Sequence, residues 1–334
     1  MKRMDQSRII QSVPGSLGAK EKLELYYYLR LARECDNAIL RLYRQGKIVG
    51  GAYTGAGNEA TAVGSAYALE KQDYILPMHR DLGAHLVRGQ SLRNIFLQQL
   101  GRSESLTRGR DGTGHYADPS LRIYGNVSHL AAMIPIAGGI ALAAKMRKED
   151  AVVLTYIGDG GSNVGDFHEG LNMAAVMKLP LVLILENNQF AYSTPTGKQY
   201  AAAKLSDRAV GYGVPGVTID GTDVLKVHET CRMACDRARA GKGPTLIESV
   251  TMRMQGHSAS DDASYVPEAL IEEWRGKDPV LLFERLLVNQ HILDEAGKRD
   301  VEATIRRAID DAVHSAESAP YPEGPQAAEG VYAP

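Results

Sequence analysis

The sequence predicts an α/β protein built on a parallel sheet with helices on both faces. Three observations predict this. Residues 151–157 (AVVLTYI) and 181–185 (LVLIL) are strand-length runs with no alternating polar positions, and such strands are covered on both sides. Helix-length segments at residues 167–178 and 224–240 stand between strand-like segments, the order that gives parallel pairing. The chain has 334 residues, 44% of them hydrophobic, enough to bury roughly 75% of the surface its unfolded form exposes.

The elements follow in order. Residues 21–46 place Leu25, Leu29, Ala32, Ile39, Leu42 and Tyr43 at helical spacing, with Gly46 as a stop. A loop of small residues, GGAYTGAGNEA, leads into a helix at 59–69 and a short strand at 74–76. Residues 101–125, rich in Gly, Asp, Arg and Ser, read as a long irregular segment of the kind that carries function. The apolar run 130–144 is shorter than the roughly 20 residues of a membrane span. It contains Pro135 and reads as a buried helix of small residues. After the central strands come a short strand at 217–220 and a strand at 245–252 (TLIESVTM). From residue 278 the chain turns helical and charged, and the tail PYPEGPQAAEGVYAP reads as extended. No repeat and no linker divides the chain. The expectation is one domain over residues 1–334, with an N-terminal helical extension (about 1–50) and a C-terminal helical extension and tail (about 278–334).

Lys and Arg number 38 against 40 Asp and Glu, a formal net charge of -2. No basic excess points to nucleic acid or an anionic membrane. The start of the chain, MKRMDQSRIIQSVPG, has no apolar core that would make it an export signal. Cys35, Cys231 and Cys235 lack metal-site spacing and read as small packed hydrophobes, so a cytoplasmic protein is expected.

Chemistry concentrates in GDGGSNVGDFHEGLNMAAVMKLPLVLILENNQF, residues 158–190. Asp159 stands at the carboxyl end of one apolar strand, and Asn187 and Asn188 at the end of the next. Ligands of open parallel sheets bind at these ends. If the strands are neighbours, Asp159 and Asn188 converge, and a carboxylate with an amide oxygen suits Mg2+ or Ca2+. Magnesium completes its shell with phosphate oxygens, so a diphosphate is implied. Gly158, Gly160 and Gly161 allow close backbone approach, and the next helix offers its N-terminal amides. Each piece alone reads better as an ordinary Asp-Gly or Asn turn; the ordered strand, helix and strand between them favour the site.

This GDG-to-NN block resembles the thiamine diphosphate motif. Together with MHRDLGAHLVRG, SHLAAMIPIAGG and MRMQGHSASDDASY it makes the chain similar to the α subunit of the E1 component of 2-oxo acid dehydrogenase complexes, from the Tyr-rich first helix to the Val-Tyr-Ala tail. The resemblance implies a thiamine-diphosphate-binding fold. It implies Mg2+ held by Asp159, Asn188 and the main-chain oxygen of Phe190, and a diphosphate held by Arg80 and Arg253 with His79 beside them. Ser128 and Leu130 would line the aminopyrimidine and substrate, and His257 would donate a proton near neutral pH. Glu59 matches a structural position. Tyr53, His79 and Val164 depart from the family pattern, and Ala132 and Met133 replace polar residues that hold potassium in some members.

The implied reaction is oxidative decarboxylation of a 2-oxo acid, branched-chain favoured and pyruvate next, with acyl transfer to a lipoyl-bearing E2. The implied assembly is an α2β2 heterotetramer with an E1 β subunit that supplies a glutamate absent here. An acetoin dehydrogenase α subunit shares this architecture. A nicotinamide-dependent oxidoreductase is the rival of another class, on the strength of GYGVPG at residues 211–216, but no strand precedes it and no helix follows. A non-catalytic scaffold is the second rival. The presence of Asp159, Asn188, Arg80, Arg253 and His257 argues against it.

Overall fold

The computed structural model describes residues 17–112, 114–125 and 127–330. The export-signal expectation and the Val-Tyr-Ala end of the tail lie outside them. The first half runs α1 (Ala19–Arg44), α2 (Glu59–Tyr67), β1 (Tyr74–Leu76), α3 (Leu82–Val87), α4 (Leu92–Gln99), α5 (Met133–Met146), β2 (Val153–Gly158), α6 (Gly165–Val176) and β3 (Leu181–Asn187). The second runs β4 (Phe190–Ala191), β5 (Thr194–Pro195), α7 (Ala209–Tyr212), β6 (Gly216–Asp220), α8 (Val224–Arg239), β7 (Thr245–Val250), α9 (Glu268–Arg275), α10 (Pro279–Asn289) and α11 (Glu295–Ser318).

Five strands form one sheet in the order β1-β2-β3-β7-β6, every pairing parallel. Side chains alternate between two apolar layers, as the pleat requires. Leu154, Tyr156, Val182, Ile184 and Ile247 pack against α2 and α8 on one face. Val153, Ile157, Leu181, Leu183, Leu185 and Leu246 pack against α5, α6 and α7 on the other. Both faces are therefore dry, which is why the strand sequences show no polar alternation.

Helix ends follow sequence chemistry. Ser91, Asp223, Asp278 and Asp294 accept hydrogen bonds from the first-turn amides of α4, α8, α10 and α11. Past α1, Gly46 takes the left-handed conformation expected of a stop. α1 packs on α2, α3, α10 and α11, so the first helix meets the last two. No helix among the described residues is long and apolar enough to cross a membrane.

Two expectations need correction. The segment 101–125 is not wholly irregular. Pro119–Leu121 forms a 3-10 turn, and Ile123 pairs with Ile75, so the chain extends the sheet edge at β1. The tail is not simply extended either: Gly324–Ala328 is a 3-10 turn. The tail clasps the 101–112 loop, with Ser103 N donating to Pro320 O (3.0 Å) and the Arg102 guanidinium 3.9 Å from the Tyr321 ring centre. GYGVPG runs from α7 into β6, the reverse of the order a dinucleotide fingerprint needs.

Candidate active site

Strand register builds the site. Gly158 of β2 pairs with Glu186 of β3, so Asp159 and Asn188 leave the sheet side by side. The β3–β7 pairing continues beyond the strand ends: Arg253 N donates to Asn188 O (3.1 Å). Three strand ends thus deliver Asp159, Asn188 and Arg253 to one spot. A cavity of about 310 Å³ opens there, lined by His79, Arg80, Leu130, Gly158, Asp159, Gly160, Gly161, Asn188, Phe190, Arg253 and His257.

At its floor the Asn188 side-chain oxygen stands 3.2 Å from Asp159 Oδ1 and 3.2 Å from the Phe190 carbonyl oxygen. Three acceptors facing one another repel. Either the amide turns over and donates to both neighbours, or a cation lies between the oxygens. Octahedral magnesium with bonds of about 2.1 Å has oxygen–oxygen edges of about 3 Å, so the donor set fits that ion. Burial raises the Asp159 carboxyl above its usual range, and hydrogen bonds, led by that from Gln199, work against the rise. Among the described residues no group of three or more His, Cys, Asp or Glu could hold a metal; here an amide and a main-chain oxygen complete the set.

Two guanidiniums face the oxygens. Arg80 is 6% exposed and Arg253 3%. Arg80 donates to Thr54 O (2.9 Å) and His257 O (2.6 Å). Arg253 donates to Gln255 O (3.2 Å), Phe190 O (3.2 Å), Tyr192 O (2.8 Å) and the Tyr265 hydroxyl (2.5 Å). Among the described residues neither has a carboxylate ion-pair partner. Burial, then the like charge of Arg253, pull the Arg80 pKa down to about 10. Buried cations without counterions are costly, and an anionic ligand relieves the cost.

His257 sits over the cavity beside the rings of Tyr53 (5.7 Å between centres) and Tyr192 (4.5 Å). Its loop is held by Asp261, whose Oδ2 accepts from His257 N (2.6 Å) and from the Tyr265 hydroxyl (2.6 Å). Burial first, then Arg80 and Arg253, push the imidazole pKa down to about 4. Both effects disfavour the imidazolium near neutral pH. Arg80 Nη2 faces Nδ1 at 3.5 Å. A guanidinium only donates, so Nδ1 offers its lone pair and the proton sits on Nε2.

Ser128 does not line the cavity. Ala131 adopts a left-handed φ of 73°, and in this turn Leu130 lines the cavity while Ser128 Oγ meets His115 Nε2 at 3.0 Å on the exposed side. A 3-10 turn, Gly161–Asn163, separates β2 from α6, so the lining glycines precede the helix.

Sequence reasoning missed Met78, Glu186, Ala191 and Tyr192 as lining residues. Glu186 carried a signal, since it directly precedes the Asn pair. Burial, then the facing Asp81, push its carboxyl well above the usual range. Glu59 pairs with Arg33, which also holds Asp278 at 2.9 Å.

The profile described as "Dehydrogenase E1 component" matches residues 27–324. The chain belongs to that family. A 2-oxoisovalerate dehydrogenase subunit alpha of Bacillus subtilis (strain 168) is 38% identical over 317 residues, covering 94% of this E1 chain and 96% of the relative. A pyruvate dehydrogenase E1 component subunit alpha of Staphylococcus aureus (strain Mu50) is 38% identical over 299 residues, 88% of this chain and 78% of the relative. A protein of the same description from Acholeplasma laidlawii is 37% identical over 298 residues, 89% and 84%. This E1 chain is an α-type subunit of a 2-oxo acid dehydrogenase, an oxidoreductase, and its sheet is consistent with the thiamine-diphosphate-binding fold.

Proposed function

We propose that the cavity binds thiamine diphosphate through Mg2+. With an E1 β subunit in an α2β2 heterotetramer, the chain would then carry out oxidative decarboxylation of a 2-oxo acid and pass the acyl group to lipoyl groups of an E2 partner. One observation carries this reading: two buried arginines, without ion-pair partners among the described residues, line one cavity with three converging oxygens. The arginines call for an anion and the oxygens for a cation, and a magnesium diphosphate is both. When bound, thiamine diphosphate supplies the carbon nucleophile and the electron sink for loss of carbon dioxide.

The chain's own residues do the rest. Asp159, Asn188 and the Phe190 carbonyl hold the metal, and Arg80 and Arg253 grip the diphosphate. Gly158, Gly160 and Gly161 admit it close to the backbone. Leu130, His79, Tyr53 and Tyr192 wall the mouth against water. The Nε2 proton of His257 is the donor for a developing alkoxide, and a bound diphosphate raises the imidazole pKa by neutralising the arginines.

One feature supports a β partner: apolar residues stand exposed on α5 and α6, Ile136, Met146 and Val176, a surface suited to another subunit. We read residues 1–334 as one domain and the protein as cytoplasmic. The acidic loop SASDDASY and the 96% coverage of the 2-oxoisovalerate relative support a branched-chain substrate, with pyruvate next. The test is to assay the chain co-produced with its β subunit against 2-oxoisovalerate, pyruvate and acetoin, with a lipoyl domain as acceptor. Branched-chain acyl-lipoyl product is expected. Turnover of acetoin alone, or of none of the three, overturns the reading.

A further inference from the structure

We infer that Gln199 is a positioning residue for the metal: from outside the cavity it holds one oxygen of Asp159 so that the other faces Asn188 and Phe190. The inference rests on the magnesium-diphosphate reading of the site. Gln199 Nε2 donates to Asp159 Oδ2 at 2.7 Å and to Thr194 O at 2.9 Å. Both amide protons are thus used, one on the carboxylate and one on strand β5. The engaged oxygen is Oδ2, and Oδ1 is the one left 3.2 Å from the Asn188 amide. The terminal torsion of an aspartate is broad and two-fold, so burial alone does not choose which oxygen points at the metal. A hydrogen bond on one oxygen does.

The location of Gln199 adds a second link. The hairpin β4–β5 starts at Phe190, whose carbonyl is the third ligand, and closes through Thr196 N to Gln189 O (3.1 Å). The 3-10 turn Thr196–Lys198 then presents Gln199. The hairpin lies directly on the glycine turn, where a Cβ on Gly160 would come 2.4 Å from Ala191 Cβ. One hairpin therefore sets two of the three metal-facing oxygens, Phe190 O by its own path and Asp159 Oδ1 through Gln199. A neutral donor also leaves the charge of Asp159 intact for the ion, which a lysine here would cancel.

The experiment uses the full chain co-produced with its β subunit. Magnesium is titrated at fixed thiamine diphosphate, and binding is followed by calorimetry. Gln199→Ala removes the amide; Gln199→Met keeps its length and packing and removes only the donor. Both variants should raise the magnesium concentration for half-saturation about 10- to 100-fold, the usual worth of a partner to a ligating group. Both should melt like the parent without ligands and regain parental turnover at saturating magnesium. An unchanged midpoint in Gln199→Met overturns the inference while leaving the site reading intact, as does a turnover defect that saturating magnesium does not repair. A parent that binds the cofactor without magnesium overturns the site reading and this inference with it.

Discussion

Replacing His257 with Asn should abolish a pH dependence that the wild-type site builds into cofactor binding. In the ligand-free protein the imidazole pKa is pushed to about 4, by burial and then by Arg80 and Arg253. A diphosphate neutralises those guanidiniums and raises the pKa toward the ordinary value of 6.5. Bound cofactor thus favours the protonated ring, and binding takes up protons. Affinity must rise as pH falls through the raised pKa, and stop rising below the ligand-free value. Recovery all the way to 6.5 would give about a 20-fold gain in affinity between about pH 7 and about pH 5, and this is an upper limit, since burial, the larger cause of the shift, persists with the diphosphate bound. The ring is half exposed, so solvent screens the arginines and the gain should be smaller, about 3- to 10-fold. The assay is calorimetric titration with thiamine diphosphate and magnesium at both pH values. The cofactor's own titration is common to wild type and His257→Asn and cancels in their ratio. A ratio independent of pH would refute the reasoning. Catalysis should fall by roughly 10²–10⁴-fold in the same variant.

Ser258→Glu should inhibit turnover by weakening cofactor binding, because Ser258 follows His257, whose carbonyl accepts from Arg80 at 2.6 Å; parental affinity in that variant would contradict this. The α chain free of its β subunit should show no decarboxylation, and measurable carbon dioxide release from it would be decisive against the shared site. Gly57→Ala should destabilise the fold by at least about 1–3 kcal/mol, seen as a lower denaturation midpoint, since Gly57 has φ 98° and an added Cβ would lie 1.9 Å from Met252 O.

The sheet was legible because its strands are buried on both faces. LVLIL and AVVLTYI show no polar alternation, and a parallel sheet between helices hides both faces of such strands. Asp159 and Asn188 were legible for the same reason, as polar residues directly after dry strands. Ser128 was not, because its position depends on the left-handed turn at Ala131, and nothing in SHLAA marks that conformation. Tyr192 and Gln199 reach the site through a two-residue hairpin too short to leave a periodicity. What holds the His257 loop was not legible, because Asp261 supplies polar pins, to His257 N and Tyr265, where few apolar residues stand. The pKa of His257 was also beyond sequence, since it depends on two arginines brought together only by the fold.

The most direct test of the central claim is calorimetry of thiamine diphosphate binding to the αβ protein, with and without magnesium, for wild type and Asp159→Ala. Binding should require magnesium in the wild type. Asp159→Ala should lose affinity strongly, with the melting temperature of the ligand-free protein little changed, because two buried arginines and only two metal-facing oxygens remain. Equal affinity in the two proteins, or binding indifferent to magnesium, would contradict that claim.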